Sequence, residues 1–366
     1  MNTLQSKVAV IGLGLMGGSL GLSLTRAGLQ VSGWDYDLGV HQEAFKIGAI
    51  NKMTNTLPET VADAELVFVA TPVDLIPEVI HSCVNWTQPG TIFSDLGSIK
   101  QLILEKVNEF LPETHYFVPG HPMTGSEQQG IIAADPFLFQ NAAYILIENA
   151  RSSGSVLSKV KSVIALTGAH LLVLDAAEHD RIVGMVSHLP HLVAAILAKT
   201  AGQAEFDHPG TLNLAAGGFR DTTRVATGAP EIWEGIIFGN KSMVLQSIDA
   251  FEKQLTELKQ CIDLNDQTAF FNFLTNAREV RMQIPGKNKG FLTLLHEMVV
   301  TIEDRPGTIN NVLQYLAAEQ INIKDIEILR VREGDGGTLR LALEDSTAVD
   351  RAVQILNEKG FKTKKR

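Results

Sequence analysis

Residues 8–24 read VAVIGLGLMGGSLGLSL: a short β-branched run, then Gly12, Gly14 and Gly17 in GxGxxG spacing, then an apolar stretch of helical character. Glycines so placed allow a tight turn, close approach of the backbone to a pyrophosphate, and close packing of helix on strand. The helix N-terminus meanwhile turns free N–H groups toward the anion. Gly12, Leu15 and Met16, together with Gly14 and Gly17, are therefore expected to cradle a dinucleotide. A second strand-like run, VSGWD, ends at Asp35, where an acidic side chain can bond the adenosine ribose hydroxyls. Its charge opposes a 2′-phosphate and the following YD brings no arginine, so NAD is expected over NADP. A glycine-rich turn followed by an ordinary surface aspartate is the competing reading.

Outward from this stretch, short β-branched runs alternate with helix-like segments from Lys7 to about Asp175. Strands are expected at 8–12, 31–35, 66–70, 91–95, 116–119, 143–148 and 170–175, and the segments between them mostly suit crossover helices. The pattern predicts an α/β Rossmann-like domain over residues 1–176 with a doubly wound parallel sheet. VATPVD ends one strand at Thr71 and Pro72, where loops of this fold face the dinucleotide. From residue 177 to 288 apolar residues fall at helical spacing without a convincing strand. This predicts an all-helical domain whose apolar faces suit a homodimer. IPGKNKG, residues 284–290, reads as a linker. Beyond it, residues 293–366 follow the βαββαβ order of a small ferredoxin-like module.

Composition narrows the classes. A net charge of −10 provides no footprint for nucleic acid, and the only basic cluster, Lys362, Lys364, Lys365 and Arg366, reads as a solvated tail. Two distant cysteines form neither a disulfide framework nor a zinc motif. The opening residues lack signal-peptide form, and no apolar run approaches bilayer-spanning length, so a cytoplasmic protein without a membrane partner is expected.

Two segments fall at the carboxyl ends of predicted strands, where open parallel sheets bind ligands. SDLGSIK carries Asp95, Ser98 and Lys100, and PGHPMTG carries His121. Together they could place a hydroxyl, a cation and an imidazole near a nicotinamide, the imidazole accepting a hydroxyl proton during hydride removal. On spacing alone a satisfied loop histidine competes with this role. In the helical region SHLPHLV carries His188 and His191, which could simply cap or pack helices, and no third ligand stands near enough to suggest a metal. GGFRDTTRVATGAPEIW carries Arg220, Asp221, Arg224 and Trp233; two arginines in a glycine-rich apolar stretch suit a substrate with more than one carboxylate.

GLGLMGGS, DLGSIK, GHPMTGSE, SHLPH and GGFRDTTR, in this order, resemble the prephenate dehydrogenases of tyrosine biosynthesis, and IEDRPGTINNVL resembles the opening of an ACT regulatory domain. The resemblance spans essentially the whole chain. It implies NAD-dependent oxidative decarboxylation of prephenate, with His121 as the hydrogen-bond acceptor for the ring hydroxyl and Ser98 orienting both. Arg224 matches the position expected to hold the ring carboxylate. His191, Arg220, Asp221, Trp233 and Glu127 match substrate-pocket or gating positions. Asp304, Arg305, Pro306 and Gly307 would form a regulatory site for a small amino acid, by end-product logic tyrosine. Arogenate is the nearest rival substrate, and a non-catalytic NAD-sensing regulator is the rival of another class.

Overall fold

A computed structural model describes residues 6–125, 128–152, 154–284, 295–303, 305–332 and 336–365. The chain divides into two compact units, Met1–Ile284 and Pro285–Arg366.

The first unit begins β1 (Lys7–Ile11), α1 (Leu15–Arg26), β2 (Gln30–Trp34), α2 (Leu38–Lys46), α3 (Leu57–Val61), β3 (Leu66–Val69), α4 (Ile76–Val84), β4 (Ile92–Asp95), α5 (Gln101–Phe110) and β5 (Tyr116–Phe117). Its strands form one parallel sheet in the order β2-β1-β3-β4-β5. These runs are apolar on both sides because helices cover both faces. Val8, Val10, Leu66 and Phe68 bury against one helical layer, and Ala9, Ile11, Val67 and Val69 against the other. The order reverses between β1 and β3, which opens a crevice at their carboxyl ends. Side-chain caps mark where helices start: Asp37 accepts from Gly39 N and Val40 N, and Thr56 from Glu59 N.

The later strands depart from a single parallel sheet. β6 (Gly120–Pro122), β7 (Ala143–Ile147), α6 (Ser155–Ala165) and β8 (His170–Leu174) give a separate sheet in the order β6-β7-β8. β6 runs antiparallel to β7, which runs parallel to β8. The segment just past the strand expected at 116–119 thus holds a strand of its own, and His121 lies in it, paired with Ile145.

The helical part comprises α7 (Ala176–Val183), α8 (Leu189–Asp207), α9 (Gly217–Thr223), α10 (Pro230–Gly239), α11 (Lys241–Asp263) and α12 (Gln267–Gln283). A π-helical turn, Gly184–His188, joins α7 to α8 without interruption. Pro190 explains it: proline has no N–H to give and its ring collides with the carbonyl four residues back, so the helix widens locally. One correction follows from that continuity. Residues Ala176–Asp207 make a single helix that, by length and composition, could cross a bilayer, contrary to the expectation from the sequence. Its polar residues His179, Asp180, His188 and His191 are buried.

The second unit is β9 (His296–Ile302), α13 (Thr308–Ala318), β10 (Ile323–Arg332), β11 (Gly336–Leu343), α14 (Ser346–Glu358) and β12 (Lys362–Lys365), with sheet order β10-β11-β9-β12. Met298, Val300 and Ile302 point to one face and pack with Val312, Leu316, Val349 and Leu356 of the helices. This is the βαββαβ module. The basic segment expected as a tail is an edge strand whose lysines stand in solvent, where their charge discourages pairing with another sheet.

Candidate active site

The fingerprint turn is as tight as its spacing requires. Gly12 has φ +88°, and a Cβ there would lie 2.9 Å from the Ala70 carbonyl. One on Gly17 would lie 1.8 Å from the Gly12 oxygen, whereas one on Gly14 would meet nothing within 4 Å. Asp35 is buried at the end of β2 and accepts from Leu13 N at 2.8 Å and Asp37 N at 3.0 Å. It therefore braces the glycine turn, and each carboxylate oxygen keeps a second lone pair for a ribose hydroxyl. Leu15 and Met16 open α1, whose first turn has no side-chain cap. Thr71 follows β3 with its Oγ1 buried and unpartnered, and Pro72 beside it is exposed.

The loop after β4 carries Ser98, half-buried, and is pinned to the strand of His121: Gly120 N donates to Asp95 Oδ1 at 3.2 Å. Lys100 corrects an expectation. It is fully buried, with Nζ bound to Asp95 Oδ2 and donating to the Gly120 carbonyl at 2.7 Å. Burial pulls the lysine down and the carboxyl up from their ordinary values, each opposed by the other's charge. Lys100 is a buried strut and not a cation offered to substrate.

His121 is buried, and its Nδ1 lies 2.8 Å from His179 Nε2. His179 Nδ1 lies 2.7 Å from Asp180 Oδ1. Asp180 also accepts from the backbone N–H of Lys100 at 2.8 Å and of Gln101 at 2.9 Å, so it caps α5 from another helix. Asn240 Nδ2 donates to the Asp180 carbonyl at 2.8 Å and lies 3.2 Å from His188 Nδ1. Burial holds His121 well below the usual imidazole range, helped by neighbouring His179, Lys100 and His188. His188 is pushed down to about 4, by burial first. Sequence reasoning passed over His179, Asp180 and Asn240: they match no motif, and apart from the adjacent pair His179–Asp180 their partners lie 52 to 80 residues away.

α10 closes the crevice from the helical side. Ile236 joins the core beneath the sheet, Trp233 packs against it, Gly235 faces Val73, and Gly239 faces Ile99. His191 stacks on Trp233, and both touch the site of a Cβ on Gly228. Arg224 begins the short 3-10 turn Arg224–Thr227 just before Gly228, and is exposed. Arg220 and Asp221 are exposed on α9. His121, His188, Trp233 and His191 thus form one cluster, through the electrostatic effect of His188 on His121 and the contacts of both His188 and His191 with the Trp233 ring, and the Arg224 turn reaches it through the Val225 backbone at His191. Glu127 and Asp304 lie outside the described residues.

Family models match in three consecutive blocks: the prephenate dehydrogenase nucleotide-binding domain over residues 20–173, the prephenate dehydrogenase dimerization domain over 175–276, and an ACT domain over 296–361. A Bacillus subtilis prephenate dehydrogenase is 32% identical over 97% of this chain and 97% of its own length. The chain belongs to the prephenate dehydrogenase family. Among solved structures, the prephenate dehydrogenase of Aquifex aeolicus with hydroxyphenyl propionate and NAD+ superposes with a TM-score of 0.71. It is 28% identical, covering 78% of this chain and all of that one. The Synechocystis arogenate dehydrogenase gives 0.68 at 28% identity, covering 76% of this chain and all of that one. For this member of the family, the region between the sheet and α10 is the candidate active site, and the glycine turn is its candidate nucleotide end.

Proposed function

We propose that this chain is an NAD-dependent prephenate dehydrogenase, converting prephenate to 4-hydroxyphenylpyruvate with loss of CO2. The observation that carries the reading is His121: a buried imidazole held in its neutral form beside a crevice that meets a dinucleotide turn. The turn suits NAD, since Gly14 leaves open space, α1 presents uncapped N–H groups and Thr71 Oγ1 is buried without a partner. NAD held at that turn would supply the hydride acceptor. His121 accepts the hydrogen bond, and then the proton, of the ring hydroxyl, and Ser98 orients that hydroxyl. Arg224 holds the ring carboxylate. Because that charge leaves as CO2, its ion pair favours the bound substrate as much as the transition state, so Arg224 serves binding and alignment. Aromatisation of the ring supplies most of the drive. His191, Trp233, Arg220, Asp221 and Glu127 complete the substrate pocket.

The same proposal divides the chain into a dinucleotide domain (1–176), a helical substrate and dimerisation domain (177–288) and an ACT domain (293–366), in a cytoplasmic homodimer. Support for the dimer comes from exposed apolar residues along the helices, such as Ile196, Leu197, Phe206, Leu255 and Phe271. Tyrosine is proposed as effector of the ACT unit at Asp304–Gly307, where Gly307 takes φ +91° immediately before α13.

The test is NAD reduction with prephenate and with arogenate side by side, each with and without tyrosine. Preference for prephenate is expected. Preference for arogenate would change the substrate, and no turnover with either would favour a non-catalytic regulator. Calorimetry on the full chain tests tyrosine binding.

A further inference from the structure

The strongest unassigned feature is the chain of contacts behind His121. We infer that His179 and Asp180 are positioning residues that dictate which nitrogen of His121 carries its proton, leaving a lone pair on Nε2 for the substrate hydroxyl. The inference rests on the reading of His121 as the base.

The direction of the chain follows from its far end. Backbone N–H groups can only donate, so both Asp180 oxygens accept, from Lys100 N and Gln101 N. A carboxylate has acceptors only, so its bond to His179 Nδ1 requires the proton to sit on that nitrogen. Burial lowers the basicity of His179, against the pull of Asp180, so its ring is neutral and its Nε2 is a bare acceptor. His121 Nδ1, 2.8 Å away, must then be the donor. A neutral imidazole protonated at Nδ1 has its lone pair on Nε2.

The scaffold holds both ends of this chain through one residue. Lys100 grips Asp180 with its backbone N–H and the carbonyl of Gly120, next to His121, with Nζ. Asn240 holds the Asp180 backbone from α10's end. The titratable groups acting on His121 are His179 from α7, Lys100 from the loop after β4 and His188 from the π turn, with Asp180 behind His179 and Asp95, at the end of β4, behind Lys100. When His121 takes the hydroxyl proton, its Nδ1–H donates to His179 more strongly, and the positive ring is steadied by the carboxylate behind it. No proton need leave Asp180 or reach it.

The experiment compares His179→Leu, His179→Gln and His121→Asn in the full-length protein, with the ring protonation of 15N-histidine-labelled wild type read by NMR. We expect the wild-type His121 ring to be protonated at Nδ1. His179→Leu should lower kcat by about 10²-fold or more, the scale of general-base loss, with KM for NAD and prephenate changed less than about threefold. His179→Gln, which keeps an acceptor oxygen, should recover part of that loss. A wild-type His121 protonated at Nε2 overturns the inference, and so does near-normal turnover in His179→Leu. If His179→Leu does not fold, the wild-type NMR result still decides. His121→Asn separates the two levels: near-normal turnover there removes the base assignment itself, whereas a dead His121→Asn beside an active His179→Leu removes only the positioning role.

Discussion

His191 lies flat on Trp233, with ring centroids 3.5 Å apart and planes inclined by 12°. Gly228 makes the stack possible, since a Cβ there would come within 2.6 Å of Trp233 Nε1 and 3.2 Å of His191 Cε1. The backbone of Gly228 is ordinary, at φ −61°, so the demand is one of space alone. Gly228→Ala should displace the indole and the adjacent Arg224 turn. We expect KM for prephenate to rise by about tenfold, roughly the 1.4 kcal/mol scale of a modest steric misfit, with KM for NAD unchanged. Steady-state kinetics with each substrate varied in turn checks it.

His121→Asn removes the base while preserving polarity and approximate size. Turnover should fall roughly 10²- to 10⁴-fold, while NAD binding, followed by fluorescence titration, stays as in wild type. Activity close to normal would point to another acceptor, with His191 the first to examine.

Arg224→Ala acts on binding. Because the ring carboxylate is lost in the reaction, KM for prephenate should rise far more than KM for NAD, and kcat should change less than in His121→Asn.

Protonation should affect rate and stability in the same direction. On the proposal that His121 is the neutral base, and with burial holding it well below the ordinary value of 6.5, the acid limb of kcat/KM should lie below pH 6.5 and show one ionisation. For stability, His121, His179, His188 and His191 all have lowered values in the folded protein. Between the unfolded and folded values the unfolded chain binds more protons, so stability falls as pH drops through that window. His188 alone, pushed from 6.5 to about 4, contributes a loss on the order of 3 kcal/mol across that range. Melting temperatures at pH 7, 6 and 5 that do not decline would contradict this.

Lys100→Met separates strut from substrate cation. It leaves Asp95 buried without its partner and frees the Gly120 carbonyl, which should cost about 3–5 kcal/mol of folding stability. Urea unfolding measures it. If the variant is as stable as wild type and only KM for prephenate changes, Lys100 contacts substrate after all.

What could be read from the sequence was local. The strand, GxGxxG turn and helix at residues 8–24 obey stereochemistry contained within one turn of chain: Gly12 needs its positive φ, and Gly17 lies against the Gly12 oxygen. The order of parallel strands, helices and a βαββαβ module followed from periodicities a few residues long, and the motifs bearing Ser98, His121 and Arg224 stood out as short strings. Tertiary structure decided what those residues face. Lys100 reads as a free cation until Asp95 and Gly120 close around it. β6 reads as a turn until β7 pairs with it. His179 and Asp180 are adjacent letters with no pattern, and they acquire a role only because α7 brings them to His121 and to the start of α5, 58 and 80 residues away in sequence. Periodicity registers which side of an element is buried, but the identity of the group across a packed interface depends on how distant segments dock, and that is set by the whole fold.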